Sequence, residues 1–187
     1  MKQEELDIIL ENHGKWLLNE GGERADLSNA DLKNTNLRFA NLRLADLRGA
    51  YLSYANFRGV DLRFADLSYA NLRFADLSYA NLSNADLSNV NLSNANFRGV
   101  DLSDANLNWV NWQHVEGLTV ICVQVDTTRK NNQIAYIKEL DIWITGCFQG
   151  TLDELKASVE QTHKHNEKLK KRYYRVIDFI LNEVEEE

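Results

Sequence analysis

Across residues 25–114 the chain alternates small, polar and large apolar positions on a period of five, without a break. The first residue of each unit is small, mostly Ala with some Val and one Thr35, and the third is large and apolar. That third residue is Leu except at Phe57, Phe97 and Trp112. A spacing of two places the first and third side chains on one face of a short extended segment. The second residue is nearly always Asp or Asn, and the last two are mixed and mostly polar. A period of five suits neither a continuous helix nor a continuous strand. It suits a short strand, a corner and another strand, so the chain winds with Ala and Leu pointing inward. Eighteen such units follow one another.

Outside the array the period changes. Leu6, Ile9, Leu10, His13, Trp16 and Leu17 fall at helical spacing, which predicts an amphipathic helix over residues 3–19, stopped by Gly21 and Gly22. An open solenoid exposes the core and strand edges of its first coil, and this helix is placed to cover them. His13 reads as a packed side chain, since no Cys, His or Asp stands at metal-ligand spacing from it. After Val115 the five-residue rhythm is lost. Residues 118–125 read as a strand, 127–132 as a polar turn, and 134–137 and 140–144 as further strands broken by Lys138 and Glu139. Residues 146–150 read as a tight connection. Thr151, Leu152, Asp153 and Glu154 form a capping box that opens a helix with Leu152, Leu155 and Val159 inward. Leu169, Tyr173, Val176, Ile177, Ile180, Leu181 and Val184 mark a longer helix, and the charged tail 183–187 is expected to fray. The expected domains are a capping helix over 1–24, the array over 25–114, and an α+β appendage over 115–187.

The run of Ala-(Asp/Asn)-Leu-x-x units resembles the pentapeptide repeat family over about half of the chain. The resemblance implies a mainly β fold: a right-handed quadrilateral β-helix with four units per coil and Leu and Ala filling its axis. Here it carries an N-terminal capping helix and a small C-terminal α+β unit. Eighteen units then make four and a half coils, a rod on the order of 20 Å long at the usual inter-strand spacing. Its stability comes from stacking of neighbouring coils. The later segment, with Gly146-Cys147, Thr151 to Leu155 and the closing helix, resembles small C-terminal appendages of phage-encoded and bacterial repeat proteins. No activity comes with that likeness. Family members also dimerise by stacking terminal coils. Residues after Val115 are expected to cover the last coil here, leaving a monomer or a homodimer through the C-terminal unit.

Twenty residues per coil place Phe57, Leu77 and Phe97 in one interior stack, with Gly59 and Gly99 expected to give the large interior rings room. Asp26, Asp46, Asp66 and Asp86 then share one face as an acidic ladder. Like charges about 5 Å apart in water repel by roughly 1 kcal/mol per neighbouring pair. Arg43, Arg48 and Arg63 lie on or beside that face and offset it; the alternatives are a cation site or a contact for a basic partner. At the fifth position Tyr54, Phe64, Tyr69, Phe74 and Tyr79 ring the middle coils beside Arg58, Arg63 and Arg73. Arginine with aromatic residues is the composition of interface hot spots. It is also the composition of vertical stacks that stiffen a solenoid.

Charge and cysteine content narrow the function. A net charge of -7 and a pI near 5.2 argue against a general binder of nucleic acid or anionic membranes. Within 25–114, eight Lys or Arg face nine Asp and no Glu, a net of -1. That near-cancellation speaks against single-stranded nucleic acid on the aromatic belt. It also speaks against the duplex-DNA mimicry by which some family members act on bacterial gyrase. Two cysteines, Cys122 and Cys147, suit a reducing cytosol and free thiols. The acidic N-terminus is no signal peptide, and no apolar run is long enough to span a bilayer. Cys147 with His163 or His165 is the one candidate nucleophile–base pair, but its apolar flanks read as an inert core cysteine. The expectation is a cytoplasmic, non-catalytic scaffold or protein–protein interaction module that needs no cofactor or metal. The alternatives are a DNA-mimicking modulator of gyrase or topoisomerase acting through the aspartate ladder, and a thiol-dependent enzyme in the C-terminal unit.

Overall fold

In the regular units of the middle coils each backbone N–H has its own acceptor, as residues 65–69 illustrate. Ala65 donates to Leu62 O at 3.0 Å and closes a turn, while Asp66 donates to Ala45 O at 3.1 Å in the preceding coil. Leu67 and Tyr69 donate to Asp86 O and Ser88 O in the following coil, at 2.8 and 3.0 Å. The fourth amide, Ser68 N–H, has no backbone partner and donates to Asp66 Oδ1 at 2.9 Å. This Asx turn is why the second residue is Asp or Asn: a short side chain with an oxygen two residues back closes the accounting. It also explains the absence of proline from the array, where it would unpair a turn or a coil.

The computed structural model describes residues 1–125 and 133–186, which fall into two units, Met1–Gly117 and Leu118–Glu187. In the first unit, parallel bridges join Asp26 to Asp46, Asp66, Asp86 and Asn106, and equivalent series start at Asp31, Asn36 and Asn41. The twenty-residue step gives four units per coil, stacked in four columns headed by Ala25, Ala30, Thr35 and Ala40. Phe57, Leu77 and Phe97 lie in the third column, each fully buried. Every fifth residue has positive φ, between 55° and 67°. It sits at the third place of the turn, where a type II turn requires the left-handed conformation.

The helix α1, Gln3–Leu17, ends two residues before the expected 19, with Asn19, Gly21 and Gly22 all at positive φ. It supplies to the first coil the partners that a preceding coil would supply. The Gln3 amide stands in for a strand: Nε2 donates to Asn36 O and Asn36 N–H donates to Oε1, both at 3.1 Å. One coil later the Asn56 amide pairs with Thr35 O instead. His13, fully buried, accepts from Ala25 N–H through Nδ1 at 3.0 Å. Its Nε2 therefore carries the proton and donates to Arg43 O at 3.0 Å. The Trp16 ring stacks on it with centroids 5.6 Å apart.

In the second unit, β1 (Val120–Gln124), β2 (Gln133–Ile137), β3 (Ile142–Thr145) and β4 (Phe148–Gly150) form an antiparallel sheet in chain order. Ile134, Tyr136 and Trp143 pack with Leu155 and Val159 of α2 (Leu152–Thr162) and with Tyr173, Ile177 and Ile180 of α3 (Glu167–Glu186). The expected capping box is present: Glu154 N–H donates to Thr151 Oγ1 at 3.4 Å and Thr151 N–H to Glu154 Oε2 at 2.9 Å. Three expectations need correction. Residues 138–140 form a 3₁₀ turn and Asp141 is left-handed, so the third strand starts at Ile142. Residues 148–150 are a strand rather than a connection, because Gly146, at positive φ, makes the hairpin turn. The acidic tail continues α3 to Glu186. The turn expected at 127–132 lies outside the described residues. No helix among the described residues is long and apolar enough to cross a membrane.

Candidate interaction surface

The four aspartates Asp26, Asp46, Asp66 and Asp86 do stack in one column, but their first task is local. Each Oδ1 accepts its own fourth-position amide: Ser28 at 3.0 Å, Arg48 at 3.1 Å, Ser68 at 2.9 Å and Ser88 at 2.8 Å. Asp46 is almost fully buried and is gripped by the Arg48 Nε, 2.9 and 3.0 Å from its two oxygens. That guanidinium holds its carboxyl below the ordinary carboxylate range, against the opposing effect of burial. Arg48 also lies 3.8 Å from Asp66, and Asn106 Nδ2 donates to Asp86 at 3.0 Å. In the fourth column Arg63 clasps Asp61 the same way, through Nε at 2.9 Å and Nη2 at 2.7 Å. Among the described residues no three His, Cys, Asp or Glu gather closely enough to hold a metal ion.

The fifth-position aromatics are spread over all four columns: Tyr69 in the first, Tyr54 and Phe74 in the second, Tyr79 in the third, Phe64 in the fourth. Tyr54 and Phe74 stack on each other, with centroids 4.8 Å apart and planes 10° from parallel. The Tyr79 ring lies instead against Gly99, where an added Cβ would be 2.9 Å from the ring, and Phe39 lies against Gly59 at 2.6 Å. This corrects the role expected of the two glycines. They make room for the exterior ring of the preceding coil, not for the interior rings of Phe57 and Phe97. Among the described residues Tyr69 has neither a stacked ring nor a glycine above it, and it is 70% exposed.

All of these rings, Phe39 included, hang from left-handed residues, with φ from 58° to 62°. Asn and Gly adopt that conformation readily, as at Asn84, Asn89 and Asn94 in the next stretch. A bulky side chain there costs roughly 1–2 kcal/mol relative to the right-handed region. Sequence reasoning missed two further exposed rings on the array, Phe39 and Tyr51. Tyr51 left a signal: it is the single second-position residue of the eighteen that is neither Asp nor Asn. It deprives the Ser53 amide of its Asx acceptor, and Lys33 lies over its ring at 5.4 Å.

The thiols are placed differently from the expectation. Cys147 sits exposed in the β3–β4 turn rather than in the core, and Cys122 is free and exposed on β1. The His163 ring stacks on Tyr173 with centroids 5.1 Å apart, as part of the packing between α2 and α3.

A family model described as pentapeptide repeats matches residues 25–63, 45–78, 55–94, 65–104 and 80–111 of this chain, in eight copies. No curated protein matches the chain. Among solved structures, it is 36% identical to a pentapeptide repeat protein of the Arabidopsis thaliana thylakoid lumen, over 49% of this chain and 63% of that one, with a TM-score of 0.48. It is 37% identical to a pentapeptide repeat protein from the cyanobacterium Cyanothece, over 49% and 63%, with a TM-score of 0.48. A third, from the cyanobacterium Nostoc, is 32% identical over 57% of this chain and 73% of that one, with a TM-score of 0.37. The chain spans less than two thirds of the length of the first two.

Proposed function

Because the chain belongs to the pentapeptide repeat family, we propose that its array is a rigid, non-catalytic rod that holds a protein partner on its exterior rings. The rod is the family's right-handed β-helix, four-sided in section. It works in a reducing compartment such as the cytoplasm, where Cys122 and Cys147 remain thiols.

One observation carries the reading: Tyr54, Phe64, Tyr69, Phe74 and Tyr79 occupy left-handed positions that Asn or Gly would fill with less strain. Strain held on a regular scaffold points from the outlier to a use. The ladder of coil-to-coil hydrogen bonds gives those rings a fixed platform, which lowers the entropy lost on binding. The aspartate column supports a weaker reading as a DNA mimic, because Asp46 is neutralised in place by Arg48 and Arg24, and Arg48 also lies 3.8 Å from Asp66.

The test is a pull-down from cells that express the protein, comparing the parent with a variant carrying Asn at positions 54, 64, 69, 74 and 79. A protein retained by the parent and lost from the folded variant is expected. Equal retention by both overturns the reading.

A further inference from the structure

The near-neutral total of the array hides a separation that only the coil creates. The first column holds Asp26, Asp46, Asp66 and Asp86 against Arg48, a net of -3. The fourth holds Asp61, Asp101 and Asp104 against Arg43 and Arg63, a net of -1. The second holds Asp31 against Lys33 and Arg73, a net of +1. The third holds Asp76 against Arg38, Arg58 and Arg98, a net of +2. Columns four and one adjoin, as do two and three. Within residues 25–114 one half therefore carries -4 and the other +3, and Glu116, which continues the third column, lowers the latter to +2.

The cations behave differently on the two halves. Arg48 and Arg63 clasp carboxylates of their own units. On the positive half three arginines lie over rings: Arg38 at 5.2 Å from the Phe39 centroid, Arg58 at 5.2 Å from Tyr79, Arg73 at 4.7 Å from Phe74; Lys33 lies over Tyr51 and also 3.7 Å from Asp31. Among the described residues no carboxylate lies within 4.0 Å of Arg38, Arg58, Arg73 or Arg98. A guanidinium resting on a ring keeps its N–H groups at the edge, already ordered, for a carboxylate to take in pairs. The irregular Tyr51 and the exposed Tyr54 and Phe74 add apolar surface on the same half.

Charge and ring geometry select the partner. A long polyanion meets the field of a protein of net charge -7, whereas a short acidic segment within about 10 Å feels chiefly the local positive charge. Nucleobases need an open ring face to stack on. Tyr54 and Phe74 close on each other at 4.8 Å, and Phe39 and Tyr79 lie against glycines. We infer that the second and third columns form a docking face for an acidic segment of a partner protein, with carboxylates on Arg38, Arg58 and Arg98 and apolar side chains over Tyr51, Tyr54 and Phe74. This inference rests on the reading of the rod as an interaction module.

The test measures fluorescence anisotropy of a short labelled peptide of repeating Glu-Glu-Leu against the full chain. Binding is expected, weakening with salt and falling at least tenfold in the Arg58→Gln, Arg98→Gln double variant. The Arg43→Gln, Arg63→Gln double variant removes the same charge from the other half and is expected to bind like the parent; circular dichroism checks that both variants fold. Absence of peptide binding, or equal loss in both variants, overturns the docking face. So does preferential binding of a labelled thymidine oligonucleotide, or self-association of the parent that the Arg58, Arg98 pair abolishes, which would make a second copy the occupant. If the five Asn substitutions abolish partner capture while the arginine pair leaves the peptide unaffected, the interaction module stands and this face falls.

Discussion

Leu77→Ala is expected to remove about 4 kcal/mol from the stability of the Met1–Gly117 unit, near the upper end for a buried Leu. Leu77 is fully buried between Phe57 and Phe97 in the third column. What sets the magnitude is how far a site can collapse around the missing methyl groups. Here it cannot. Leu77 N–H donates to Asn96 O at 2.9 Å and Asp76 N–H to Ala55 O at 3.1 Å, so the coils above and below are tied at a fixed spacing. The two rings would face a void that the backbone ladder holds open, losing the dispersion contacts on both sides. Urea unfolding followed by circular dichroism reads the loss. A change below about 2 kcal/mol would mean that the coils slide together and that the ladder is softer than its geometry implies.

His13→Ala is expected to cost about 3 kcal/mol, because it strips one partner each from two backbone groups, the Ala25 N–H and the Arg43 carbonyl. A buried backbone group left unpaired costs about 1–3 kcal/mol. The same geometry makes the cap sensitive to acid. Nδ1 must stay unprotonated to accept from Ala25, and burial, first, with the nearby Arg24 charge lowers the His13 pKa below its ordinary 6.5; the Arg43 carbonyl opposes this in part. A folded-state pKa below the unfolded one means that the unfolded chain binds more protons in that window. The stability from His13 is therefore complete above about pH 6.5 and declines as pH falls from there toward the folded value. Denaturation at pH 7.5 and pH 5 is expected to show a drop in the parent that His13→Ala lacks in this range. An equal drop in both would assign the acid sensitivity elsewhere.

Much of the rod was legible in the sequence because its period is also its hydrogen-bond plan. Ala and Leu at a spacing of two fix the interior, while the twenty-residue register came from the four units per coil that the family resemblance implies. Less legible was why the second residue is Asp or Asn. Read as charge, Asp26, Asp46, Asp66 and Asp86 form a ladder; as geometry, each caps its own turn, which an Asn does equally well. The fifth position was obscured for a related reason. Runs such as Asn84, Asn89 and Asn94 signal the left-handed conformation, but Tyr54, Phe64 and Tyr69 conceal it, since aromatic residues ordinarily mark extended strands. The role of Gly59 and Gly99 was hidden because their steric partners, Phe39 and Tyr79, lie twenty residues back rather than two. Charge was the deepest case: a one-dimensional sum near zero carries no trace of which column each residue enters. In the second unit the strands were visible as β-rich runs, while the left-handed Asp141 and the Gly146 turn shifted their edges by tertiary pairing.

The most direct test of the claim that the exterior rings serve a partner rather than the fold is the unfolding free energy of Tyr69→Asn. Tyr69 sits at φ 62° and is 70% exposed, while Asn89 holds the same register one coil on with φ 60°. If the ring contributes nothing to the rod, relief of the left-handed strain is expected to raise stability by about 1 kcal/mol. A fall of similar size would contradict the claim and make the ring a structural brace.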